Sequence, residues 1–288
     1  MKKSLHVKFI TLAFSASLFA GEFQYGSGTF STKAAFLGIG SEMSTDITSY
    51  SLIEQHKNFG KSNWFYKYNF TWYDSKTINN TIDTYNNIPF ASSVMPSFDY
   101  KFEGMDLNIA GGYDLIHKGE NDNFGIGLLL GLSSPWIDSE DSSNSDNDYT
   151  DELLKALKES KTEILTLKVG PTFTLRKSLG KYFCLYGSAT IAYQFGNIKN
   201  DYADSKLDVD GIFQEYDGGI MIIPFSKDYK LTSWFTLSPR LYATLGYRYT
   251  NWTLNDVDLD ITGKNISTMK NDFTMDTSIG YFGLGYSF

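Results

Sequence analysis

The chain is poor in the residues that most exported and catalytic proteins rely on. Its 288 residues include one cysteine, six prolines and three histidines. A lone thiol, Cys184, cannot close an intrachain disulfide, which excludes a disulfide-stapled secreted scaffold. Two histidines, His56 and His117, follow the first twenty residues. General acid-base or nucleophilic catalysis needs such a group beside an acid or a nucleophile. His117 has no paired-acid motif, and His56-Lys57-Asn58 carries asparagine where a lipolytic His-x-Ser motif needs serine. Serine elbows, phosphate loops and Cys/His metal spacings are also missing, so the chain reads as a non-enzyme without metal or cofactor. Positive charge is in deficit as well. A formal net charge of −8 excludes nucleic acid as a partner, because phosphate binding needs a basic footprint. Finally, no stretch after Ala20 contains the roughly 18 consecutive apolar residues of a transmembrane helix.

What is present starts with Lys2 and Lys3, a mostly apolar run from Val7 to Phe19, and then Ala20-Gly21-Glu22. This pattern predicts a signal peptide over 1–20, cut near Ala20 although Leu18 is larger than that site prefers, and a single domain over 21–288. Aromatics make up 16% of the chain, a load suited to interfacial girdles. Alternation with period two recurs. One face of Trp64 to Tyr73 carries Trp64, Tyr66, Tyr68, Phe70 and Trp72, and the other carries Lys67, Asn69 and Thr71. Met105 to Leu115, Phe124 to Leu132, Leu165 to Arg176, Phe183 to Phe195 and Leu241 to Tyr249 repeat the pattern. Such segments are strands with one apolar and one polar face.

The chain ends Phe282-Gly283-Leu284-Gly285-Tyr286-Ser287-Phe288, with Phe282, Leu284, Tyr286 and Phe288 on one face. This ending resembles the assembly signal of outer-membrane β-barrel proteins of Gram-negative bacteria, a broad porin-like class. The resemblance implies an all-β, antiparallel transmembrane barrel in the outer membrane, in contact with lipid and lipopolysaccharide and inserted by the barrel-assembly machinery. A monomer is the favoured state. A closed sheet is also the one non-helical way to satisfy every backbone group in lipid.

Ten strands are expected, near Gly28–Gly40, Asp46–Lys57, Asn63–Tyr73, Phe98–Ile116, Phe124–Ser134, Thr162–Arg176, Tyr182–Phe195, Ile212–Pro224, Trp234–Leu254 and Asp272–Phe288. Short connections at 58–62, 117–123, 177–181 and 225–233 would face the periplasm. Long ones at 74–97, 135–161, 196–211 and 255–271 would face outward. The short first connection, 41–45, breaks the alternation, so the first segment is also compatible with a lumen plug or periplasmic stretch, and eight or twelve strands with the pattern. Asp151 to Lys158, with Leu153, Leu154 and Leu157 on one side, predicts a short helix in a long extracellular loop.

The residues expected to line the lumen are Lys67, Asp106, Asp114, Lys168, Arg176, Glu215, Asp217, Arg240 and Arg248. Both signs are present, as burial of charge requires. They suit either a solute path or a structural ion-pair network. Acids cluster at Asp201, Asp204, Asp208 and Asp210 and at Asp256, Asp258 and Asp260, but calcium-loop spacing fails. Counting from Asn144, Tyr149 and Lys155 occupy the glycine and glutamate positions; from Asp256, Ile261 and Ser267 do. Two functions are compatible with this reading: a porin-like passive pore for small solutes, and a non-conducting structural or adhesive barrel that displays acidic loops.

Overall fold

A computed structural model describes residues 21–36, 39–57, 63–79, 99–119, 122–140, 161–200, 205–230, 236–237, 240–258, 260–261, 264–265 and 273–286. Ten long strands account for most of them: β1 Gly21–Phe36, β2 Ile39–Lys57, β3 Trp64–Ser75, β4 Asp99–Gly119, β5 Asp122–Glu140, β6 Lys161–Ser178, β7 Phe183–Asn200, β8 Ser205–Ile222, β9 Leu241–Asp258 and β10 Phe273–Tyr286. Each pairs antiparallel with its chain neighbour, and β1 pairs with β10 from Gly21↔Tyr286 to Ala34↔Phe273. The sheet therefore closes into a ten-stranded antiparallel barrel with no free edge. No helix occurs among the described residues; the segments 1–20 and 151–158 lie outside them.

The period-two pattern has a direct physical cause. On β5, Ile126, Leu128 and Leu130 are exposed while Gly125 and Leu129 are buried, and on β6 Leu165, Leu167 and Phe173 are exposed while Thr166, Lys168 and Thr174 are buried. The same inversion runs around the barrel: Ile109, Ile191, Ile212, Leu245 and Leu284 all face outward. Leu130 shows 59% of its surface, whereas Lys168 shows 2%. A soluble protein does not expose a continuous apolar belt and bury a lysine in its interior. The fold is a transmembrane β-barrel, with lipid covering its outward apolar face.

Glycines let large inward side chains fit a narrow tube. A Cβ on Gly246 would lie 2.5 Å from the Tyr186 hydroxyl and from the Tyr281 ring, and Phe65 covers Gly112 and Gly125 in the same way. Gly180, at φ +91°, occupies the left-handed region in the β6–β7 turn, where a side chain would be strained. Two prolines interrupt the ladder locally. β6 and β7 pair up to Val169↔Tyr193 and resume at Thr172↔Thr190, and Pro171, which has no N–H to donate, lies in the gap. Pro135 sits in a similar gap between β5 and β6.

The strand number agrees with expectation, but several boundaries differ. β1 begins at Gly21 rather than Gly28 and is a full wall strand, not a plug or periplasmic stretch. The strands β7 and β8 run through the expected long connection 196–211 and leave 201–204 between them. Between β8, which ends at Ile222, and β9, which begins at Leu241 rather than Trp234, a two-residue ladder pairs Tyr229 with Leu237 and Lys230 with Thr236. A second small ladder joins Asp260–Ile261 to Lys264–Asn265, and Ile78–Asn79 extends the pairing along β4.

Candidate functional site

The chemistry this barrel can do is set by its lumen, which is built in three layers. At the end away from the termini, inward side chains are apolar. Phe30, Ile47, Tyr73, Phe102, Ile164, Ala192, Val209, Phe213, Trp252, Leu254, Met275 and Ile279 form one buried cluster. Some of the rings come from non-adjacent strands, while Phe213 and Trp252 are direct partners on paired strands. Phe30 of β1 stacks on Phe102 of β4 with centroids 3.7 Å apart, and Trp252 of β9 lies 6.1 Å from Tyr73 of β3 and 5.9 Å from Phe213 of β8. Trp252 also donates its indole N–H to Ser133 Oγ of β5 at 3.1 Å. An aromatic side chain carries a large apolar area on two rotatable bonds, so a few of them span a tube of this width.

Below this layer lies an ionic belt. Lys168 Nζ meets Asp106 Oδ1 at 2.5 Å with both side chains almost fully buried, and it sits 3.7 Å from the centroid of the Phe213 ring. Asp106 also accepts from Asn108 Nδ2 at 2.6 Å and from Ser133 Oγ. Arg248 is the second hub. Its guanidinium donates to Asp217 Oδ2 at 3.1 Å, Gln24 Oε1 at 2.7 Å, Ser51 Oγ at 3.0 Å and Thr71 Oγ1 at 3.3 Å. These contacts run from β9 to β8, β1, β2 and β3, so one side chain braces both walls. Tyr281 donates to the other Asp217 oxygen and lies 2.7 Å from the Tyr186 hydroxyl. Asp106, Asp217 and Arg248 thus each have an opposite charge and neutral hydrogen-bond partners, and Lys168 has Asp106 and the Phe213 ring. The buried Glu215, by contrast, belongs to no ion pair among the described residues and keeps one oxygen without a hydrogen bond.

The third layer, at the end holding the termini, is a small pocket that is partly open to solvent. Glu22, Gln24, Lys67, Thr174, Arg176, Tyr186, Ser188, Asp217 and Thr244 supply its polar lining. Lys67 Nζ reaches from β3 to Ser188 Oγ of β7 at 3.2 Å. Glu22 accepts from Gln24 Nε2 at 2.7 Å and from Thr244 Oγ1.

Of the residues expected inside, Asp106, Asp114, Lys168, Glu215, Asp217 and Arg248 are buried, and Lys67 and Arg176 line the pocket. The structure brings Asp106 to Lys168 and Asp217 to Arg248. Arg240 is a correction: it stands exposed in the turn before β9, because the alternation that places Arg248 inward does not extend beyond the strand's first residue, Leu241. Phe282 and Leu284 face outward and Tyr286 is half-buried; Phe288 lies outside the described residues. His56 and His117 fall within β2 and β4. Among the described residues no group of three His, Cys, Asp or Glu side chains is placed to hold a metal.

The apolar layer is the part that sequence reasoning missed. The signal was available in the same alternation: Phe30, Tyr73, Phe102, Phe213 and Trp252 all occupy inward positions of their strands.

No family model matches the chain, and no curated protein matches it. Solved structures do. The outer membrane protease OmpT from Escherichia coli is 9% identical, with 94% of this chain and 97% of that one covered and a TM-score of 0.41. The translocator domain of autotransporter NalP from Neisseria meningitidis is 11% identical, with 100% and 97% covered and a TM-score of 0.40. The toluene transporter TodX of Pseudomonas putida is 8% identical, with 92% and 89% covered and a TM-score of 0.30. Likeness at that level says nothing about chemistry.

Proposed function

We propose that this protein is a non-enzymatic outer-membrane barrel whose lumen is sealed, and that it serves as a membrane-embedded scaffold for the connections at the rim away from its termini. The observation that carries the reading is the apolar layer from Phe30 to Trp252. Its side chains meet across the tube, and a packed apolar layer offers ions and polar solutes no hydrogen-bonding path. A barrel of about eight strands is filled by its own side chains, whereas open aqueous channels are typical of about sixteen. Between a solute pore and a sealed barrel, the filled cross-section favours the second.

Location in the outer membrane rests on the exposed apolar belt and on the amino-terminal and terminal-strand patterns of the sequence. Lipid and lipopolysaccharide then bound the outer wall, and the acidic connections, including the Ser, Asn and acid run from Asp141 to Asp148, would face the medium. Planar-bilayer recording of the refolded barrel tests the seal. It should stay silent in potassium chloride at every voltage, and reproducible unitary current steps would sink the reading. Excision of 141–160 should abolish any surface-binding phenotype and leave heat-modifiable gel mobility intact.

A further inference from the structure

The geometry points to the pocket at the terminal end as a binding site for a small oxyanion, a phosphate or a short carboxylate, held by Lys67 together with Ser188 and Thr174. This goes beyond the scaffold role and does not depend on whether the lumen conducts.

Spare hydrogen-bonding capacity decides the ligand's chemistry. A lysine ammonium carries three N–H donors. Among the described residues Lys67 Nζ has a single hydrogen-bond acceptor, Ser188 Oγ at 3.2 Å, and it belongs to none of their ion pairs. The Thr174 side chain, 4% exposed, lines the same pocket with an Oγ1 that has no hydrogen-bond partner. A buried hydroxyl in that condition is a standing cost that a ligand can relieve.

The acids in the lining are already engaged. Glu22 accepts from Gln24 and Thr244, and Asp217 accepts from Arg248 and Tyr281. Glu215 lies deeper, within the field of both Arg248 and Lys67. An incoming cation would compete with Lys67 and Arg248 for these carboxylates, whereas an oxyanion brings the acceptors that Lys67 and Thr174 lack. Arg176 adds a second cation to the lining. The Arg248 belt beneath sets a floor, so the ligand is small and enters and leaves by the same mouth.

The test uses the barrel, residues 21–288, refolded in octyl glucoside and titrated at fixed ionic strength with sodium phosphate and, separately, with sodium succinate. The midpoint of its heat-modifiable gel transition is the readout. A saturable rise with either anion is expected, and the pair separates a phosphoryl from a carboxylate preference. Lys67→Met should raise the half-saturating concentration about tenfold or more, and Thr174→Val about threefold to tenfold. Lys76→Met, on the rim, should titrate like the wild type. If Lys67→Met does not refold, the near-isosteric Thr174→Val carries the comparison. Absence of saturation with both anions, an equal effect from chloride, or variants that titrate like the wild type would each overturn the site. Because current is not measured, this failure is separable from failure of the sealed-lumen reading.

Discussion

The two ends of the lumen follow one rule of alternation and solve opposite problems. Away from the termini, Phe30, Phe102, Tyr73 and Trp252 close the tube by shape, with ring contacts between walls. Toward the termini, Glu22, Lys67, Asp217 and Thr244 leave a wet pocket in which charged groups find hydrogen-bond partners. Apolar packing tolerates imperfection, because a misplaced methyl loses only contacts. A polar interior does not, because each unmatched group is penalised in full. The belt of Asp106, Lys168, Asp217 and Arg248 is where the two regimes meet, and it is where substitution should hurt most.

Breaking that belt gives the largest expected effect. Asp106→Ala strands Lys168 in the lumen and also removes the acceptor of Asn108 and Ser133. Loss of one partner of a buried pair costs about 3–5 kcal/mol, so the urea midpoint of the refolded barrel should fall steeply. Replacing Asp106 and Lys168 together by apolar residues should recover much of the loss, and a double variant as weak as the single one would contradict this account.

Emptying the apolar end comes next. Trp252→Ala removes a fully buried indole together with its bond to Ser133, at about 3–5 kcal/mol. Combined with Phe102→Ala it should also produce unitary currents, whereas Lys67→Ala at the opposite end should leave the barrel silent. Currents from Lys67→Ala alone would show that the seal lies in the wrong half.

Gly246→Ala sharpens the comparison at a smaller scale. The added methyl would press on the Tyr186 and Tyr281 rings, flexible side chains that can give, so overpacking of about 1–3 kcal/mol is expected by urea denaturation. The smallest effect belongs to the rim. Lys76 and Asp46 form an ion pair at 2.6 Å in open solvent, and Lys76→Ala should leave the unfolding midpoint unchanged.

Much of this architecture is legible in the sequence because a lipid-facing strand must alternate. Segments such as 105–115 and 165–176 carry apolar outward positions without a break, and their parity alone identifies Asp106 and Lys168 as inward. The stretch 196–211 was harder for a physical reason. Gly196 and Gly211 read as loop punctuation, but a Cβ at either would run into the backbone of the adjoining strand, Leu165 for one and Thr253 for the other. These glycines are required inside a sheet. Acids such as Asp208 and Asp210 compounded the misreading, since strands that outrun the apolar belt carry polar side chains on their outer face as a loop does. The interior seal was obscured differently: attention to charge at inward positions hides the apolar residues that share them.

The pairing of β1 with β10 has a consequence for biogenesis. The first strand finds its lateral mate only when the final strand has been made, more than two hundred residues later. Until then the ribbon has two raw margins of unpaired amides, which hydrocarbon cannot solvate. Closing that seam is what lets the sheet lie in hydrocarbon, and a chain lacking its last strand would keep both margins open.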